Sequence, residues 1–99
     1  MKLRVAKRAQ QQADKIEGWW LENRPDASTL FVDELEETFH YICGTRSAGI
    51  RWPTQRRPAL RRILMTRTRN HVYFLINEPT QTVHVLAVWG APKGRTPKL

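Results

Sequence analysis

The 99-residue sequence holds one cysteine, Cys43, so no intramolecular disulfide can brace it. Met1-Lys2-Leu3-Arg4 lacks the apolar run of a secretion signal, and the two absences together imply a reducing, cytoplasmic setting. Charges interrupt every apolar stretch, so nothing approaches the roughly 20 apolar residues of a membrane-spanning helix. A soluble protein without membrane contact is expected. No Gly-rich phosphate loop, nucleophile elbow or Ser/His/Asp order occurs, and the Gly90 to Gly94 spacing lacks the Lys-Ser/Thr ending of a phosphate loop. Nucleotide hydrolysis is disfavoured. His40 and Cys43 lie three apart, but neither a cysteine pair nor a nearby histidine completes a tetrahedral metal site. Neither metal nor cofactor is expected.

The most informative shortage is of acid. Residues 45–99 carry eleven Lys or Arg against Glu78 alone, a local charge of +10. Residues 1–8 add +4, whereas residues 9–44 carry −6, leaving +8 for the chain. Salt bridges within the second half therefore cannot absorb its cations, and such a field accelerates association with nucleic acid or an acidic protein. With 40% hydrophobic and 26% charged residues the chain should nevertheless fold. Its length fits one domain, residues 1–99, burying roughly two-thirds of its unfolded surface.

Leu3 to Ala6 alternates briefly and reads as a short strand. Ala9, Ala13, Ile16 and Trp20 recur at helical spacing up to a stop at Asn23-Arg24-Pro25. Asp26 is placed to cap a second helix whose buried stripe is Phe31, Leu35, Phe39 and Ile42, with Gly44 as its stop. The short connection predicts a helical hairpin. Residues 45–59, with two prolines and four arginines, read as a basic loop holding one short extended piece. Leu60–Arg67, His71–Ile76 and Val83–Trp89 then read as three antiparallel strands, and the Gly- and Pro-rich residues 90–99 as an extended tail. The expectation is an α+β fold, β-α-α-β-β-β, with the hairpin packed on a small antiparallel sheet.

Arginine is suited to phosphate because its planar fork makes two parallel charge-assisted bonds and stays ionised. Strand alternation puts Arg61, Arg67 and Arg69 on the parity of Ile63 and Met65, and Arg62 on the other. These four, with Lys93 and Arg95, are the candidate target-binding residues. The alternative is a solvated face whose arginines discourage edge-to-edge aggregation. His71 and His84, in neighbouring predicted strands, could face each other as acid and base, or be ordinary half-buried strand histidines. Trp52, in the basic loop, is the tryptophan placed to stack on a base. Trp19, Trp20 and Trp89 read as core or interface residues.

Several fragments in order resemble the RelE/ParE superfamily of bacterial toxins. They are Trp19-Trp20-x-x-Asn23-Arg24-Pro25, Phe31-x-x-Glu34-Leu35, Arg61-Arg62-x-Leu64, His71-Val72-Tyr73 and Val88-Trp89-Gly90-Ala91-x-Lys93-Gly94-Arg95-x-Pro97. The resemblance implies the toxin of a type II toxin–antitoxin (plasmid-stabilisation) pair, neutralised by a cognate antitoxin that wraps an acidic segment around it. Two targets occur in the superfamily. RelE-like members cleave messenger RNA on the ribosome, and ParE-like members inhibit DNA gyrase. The nuclease branch commonly uses a tyrosine or histidine near its C-terminus, and none follows Trp89. A ParE-like gyrase inhibitor is therefore favoured. The alternatives are a ribosome-dependent endoribonuclease, with His71, Tyr73 or His84 moving protons, and a non-toxic Arg-rich nucleic-acid-binding module.

Overall fold

The computed structural model describes residues 1–91 and 94–99. Lys93, one of the candidate binding residues, lies outside them. The chain runs β1 (Lys2–Val5), α1 (Lys7–Asn23), a 3-10 turn (Pro25–Ala27), α2 (Leu30–Gly44), β2 (Ile50–Arg51), β3 (Arg61–Met65), β4 (Asn70–Asn77) and β5 (Thr82–Gly90). One sheet takes the order β1-β5-β4-β3-β2. It is antiparallel throughout except that β1 runs parallel to β5. The extended piece expected in the basic loop is β2, two residues that lengthen the meander at its edge.

Both helices form on their expected stripes. Ala9 and Ala13 are buried, and their small side chains let α1 lie close over the sheet, with Ile16 and Trp20 packed beside them. Phe31 and Ile42 of α2 are buried, flanked by Leu35 and Phe39. The start of α2 differs from expectation. Asp26 lies in the 3-10 turn and Thr29 occupies the N-cap position, without a side-chain capping bond at either site. The turn ties Ala27 N–H to Arg24 O at 3.0 Å, so the chain reorients before the helix begins. This leaves Asp26 too early to reach the first free N–H groups of α2.

The sheet is apolar on both faces. Towards the helices it presents Met65, Val72, Phe74, Val83, Val85 and Val88. On the outer face Leu60, Tyr73 and Ala87 are buried together, with Trp52, Leu75, Leu86, Trp89 and Leu99 around them. A register shift makes this possible: Tyr73 pairs with Ala87 but Phe74 with Val85, so Leu86 is an extra residue on β5. Because β1 pairs with β5 only up to Val85, the Val88 N–H has no strand partner; it donates instead to Gln12 Oε1 of α1 at 2.9 Å.

Residues 94–99 add no helix or strand but are tied down. Pro97 is buried. Arg8 donates to Lys98 O at 3.0 Å, while Thr54 and Arg57 donate to Leu99 O at 3.2 and 2.8 Å. The tail is thus held along the outer face. Among the described residues no helix is long and apolar enough to cross a membrane.

Candidate functional site

The outer face of the sheet gathers chemistry at one end. Arg62 of β3 and Tyr73 of β4 are register partners on this face, and the Arg62 guanidinium donates to the Tyr73 hydroxyl at 3.3 Å. The same guanidinium lies 3.5 Å from the centroid of the Trp52 ring, a close cation–π stack that holds the fork flat against the indole. Two residues before Tyr73 on the same strand comes His71, its ring centroid 6.0 Å from that of Tyr73. Arg95 completes the cluster. The Trp89 indole N–H donates to Arg95 O at 2.8 Å, and the Arg95 guanidinium lies 6.0 Å from the Trp89 ring. These six residues line a cavity of about 250 Å³.

The electrostatics of this end favour an incoming anion. Burial lowers the His71 pKa below its ordinary 6.5, and the charges of Arg62 and Arg69 push it the same way. A neutral imidazole beside two guanidinium groups can accept a proton, and bound phosphate would offset the repulsion that adds to the effect of burial. No carboxylate lines the cavity among the described residues.

The other candidate residues lie elsewhere. Arg61 shares the helix-facing parity of Ile63 and Met65 and is occupied structurally: its guanidinium donates to Ala48 O at 2.9 Å and Gly49 O at 3.1 Å, fixing the chain leading into β2. The expected alternation does not extend to Arg67 and Arg69, because β3 ends at Met65 and both lie in the following turn. Arg67 forms ion pairs with Glu34 and Glu37 of α2. Arg69 takes a left-handed backbone with φ 64°, and its carbonyl accepts from Ala91 N–H at 2.9 Å. His84 is not opposite His71. The ladder pairs His71 with Trp89 and Leu75 with His84, placing the imidazoles four β4 positions apart, roughly 13 Å along the strand. His84 instead borders a separate shallow cavity with Arg57, Leu75 and Leu86. Among the described residues no group of three metal-ligating side chains comes together.

One structural residue appears in the sequence only as part of a motif. Glu34 is 5% exposed and its carboxylate accepts from the backbone N–H groups of Arg67 at 2.8 Å and Thr68 at 2.9 Å, and from the Thr68 hydroxyl at 2.7 Å. Burial alone would raise its pKa, but the bonds from Thr68 and Arg67 outweigh it and hold the carboxyl below the ordinary 4.5. Glu34 therefore clamps the β3–β4 turn, and with it Arg69, against α2.

No protein-family model matches the chain, and no curated protein matches it. Among solved structures, a chain from the chromosomal ParDE TA system of P. aeruginosa superposes with a TM-score of 0.70. The match covers 91% of this chain and 95% of that one at 16% sequence identity. Identity so low carries the architecture and not the chemistry. The helical hairpin on a five-stranded, mostly antiparallel sheet is the ParE-like fold.

Proposed function

We propose that this chain is the toxin of a type II toxin–antitoxin pair, held inactive by an acidic antitoxin and directed, in the ParE-like manner, at DNA gyrase. The observation that carries the reading is the conjunction of a ParE-like fold over nearly the whole chain with a sheet half that carries +10. A net positive sheet face and tail give an acidic neutralising segment a strong electrostatic partner. The choice of gyrase rests on the C-terminal segment, which contains neither tyrosine nor histidine after Trp89. In a supercoiling assay, purified protein should stall gyrase or trap it on cleaved DNA. Unaltered supercoiling at saturating protein would reject this target.

One geometric observation favours the second reading, a ribosome-dependent endoribonuclease. His71, Tyr73, Arg62 and Arg95 share one cavity, which supplies a proton acceptor, a hydroxyl and two anion-binding forks within one face. Transcript ends mapped after induction should then show cuts in phase with codons that His71→Ala abolishes. Their absence would leave the cavity as a docking surface.

A further inference from the structure

Arg62 and His71 stand between two cavities, the aromatic one described above and a second at the edge of the sheet. The second, of about 310 Å³, is lined by Gly49, Ile50, Arg62, Ile63, Leu64 and His71. Register fixes its geometry. Ile50 of β2 pairs with Arg62 of β3, and Leu64 pairs with His71 of β4, so each of the two basic side chains has an aliphatic one beside it on the edge side. Ile50 is 57% exposed and Leu64 36% exposed. Because β2 pairs only with Arg61 and Arg62, no strand among the described residues lies beyond Leu64.

This aliphatic shelf is held in place. Gly49 has φ 71° and a Cβ there would meet Arg62 O at 2.5 Å, so the chain is pressed against β3 as it enters β2. Arg61 fixes the same entry through Ala48 O and Gly49 O. Arg62 in turn is held between the Trp52 ring and the Tyr73 hydroxyl. Exposed aliphatic side chains at a sheet edge mark a contact surface, and these two adjoin a fixed cation.

We infer that this end of the outer face binds one nucleotide step of single-stranded DNA, the phosphate held by Arg62, His71 and Arg95 and a thymine laid on Ile50 and Leu64. The phosphate follows from charge, since no carboxylate lines either cavity among the described residues. An unpaired base follows from the shelf, because a single strand offers base faces that a duplex stacks away. Thymine follows from its methyl group, which aliphatic side chains receive. DNA rather than RNA follows from the lining of the shelf: apart from Arg62 and His71, its side chains offer no hydrogen-bonding group to a 2′-hydroxyl. The inference deepens the gyrase reading and rests on it for the source of the strand, the cleaved DNA on which gyrase would be trapped. A proton is linked to the phosphate. The titratable and charged groups around His71 are Arg62 of β3, Arg69 of the β3–β4 turn, Tyr73 of its own strand and Arg95 of the tail, while β2 and β5 present Ile50 and Trp89. Burial, Arg62 and Arg69 together lower the His71 pKa in the free chain, so an arriving phosphodiester favours uptake of a proton there.

The test titrates the full chain into a labelled oligothymidylate of about six nucleotides at about 0.15 M salt and reads fluorescence anisotropy. Arg62→Ala should weaken binding by about tenfold or more. Lys15→Ala removes the same charge from α1 in the helix layer and should change affinity by less than about twofold. Ile50→Ser/Leu64→Ser should weaken binding about fivefold and erase a preference of about threefold for oligothymidylate over oligodeoxyuridylate, which lacks only the methyl groups. Affinity should rise about threefold from about pH 7.5 to about pH 5.5, a rise that His71→Gln removes and His84→Gln keeps. Near-UV circular dichroism and the urea midpoint check that each variant is folded. Equal weakening by Arg62→Ala and Lys15→Ala would overturn the site, because the attraction would then be general. Tighter binding of oligouridylate RNA than of oligothymidylate would overturn the DNA assignment in favour of RNA. A dimer in sedimentation that Ile50→Ser/Leu64→Ser dissolves, with oligonucleotide affinity unchanged, would overturn the shelf in favour of a second copy of the chain. If the wild-type chain stalls gyrase but binds no oligonucleotide, the site is refuted and the gyrase reading stands. If it binds as described and supercoiling is unaltered, the site stands and the gyrase reading falls.

Discussion

Replacing Glu34 should be the most damaging single change to a charged residue in this fold. The carboxylate is 5% exposed and accepts three short bonds, two from backbone N–H groups and one from the Thr68 hydroxyl, at 2.7 to 2.9 Å. Hydrogen bonds to a charged acceptor contribute about 1.5 to 3 kcal/mol each, and losing one partner also strands the other. The contributions are not additive, and water can reach a turn once the side chain is gone, so Glu34→Ala should cost about 3 kcal/mol in all. The ion pair with Arg67 adds little to this figure, because the Arg67 side chain is 48% exposed and solvent screens it. With a urea slope of about 1.5 kcal/mol/M, the unfolding midpoint should fall by about 2 M. Glu34→Gln keeps one acceptor but turns an amide donor towards the N–H groups, and should lose about 2 kcal/mol. Thr68→Val removes one bond and should lose about 1 kcal/mol.

The same clamp has a pH signature. A carboxyl whose folded pKa lies below 4.5 stabilises the fold above that pH, and the stabilisation is lost as pH falls through the folded pKa. Stability measured below pH 4.5 should therefore decline less steeply in Glu34→Gln than in the wild type. A midpoint shift under about 0.5 M for Glu34→Ala, or an unchanged acid limb in Glu34→Gln, would refute the clamp.

Three further expectations follow from the backbone and from His71. Gly49 has φ 71° and a Cβ there would sit 2.5 Å from Arg62 O, so Gly49→Ala should cost about 2 kcal/mol or more by chemical denaturation and displace Arg62 from Trp52; a neutral result would contradict it. Arg69→Gly relieves the left-handed strain and should raise the urea midpoint by an amount equivalent to up to about 1 kcal/mol; an unchanged or lower midpoint would contradict the strain. The lowered pKa of His71 means the unfolded chain takes up that proton first, so stability should decline as pH falls from 6.5 towards the folded pKa. His71→Phe should remove that slope, seen in urea midpoints across the window; an identical slope in the variant would rule out His71 as its source.

The sequence carried the elements well because their signals are local. Period-3.6 stripes at Ala9-Ala13-Ile16-Trp20 and Phe31-Leu35-Phe39-Ile42 face one apolar sheet, and alternating runs mark the strands. Pairing was less legible. Nothing local to Lys2–Val5 says that it runs parallel to β5, and nothing in Leu86 announces that it is the extra residue of a register shift. The arginines show the same divide. Parity separates Arg61 from Arg62, but only the folded chain shows that loop carbonyls occupy Arg61 whereas Trp52 and Tyr73 aim Arg62 outward. Arg67 and Arg69 escape the alternation because the strand ends at Met65. The Glu34 clamp joins residues more than thirty positions apart, which no window along the chain can see.

Viable counts after induction from a tightly repressed promoter, with and without the protein encoded next to this chain, test the toxin reading most directly. A neutralised toxin should arrest growth alone and be silenced by co-expression of that neighbour. Normal growth of cells accumulating the folded chain alone would contradict it.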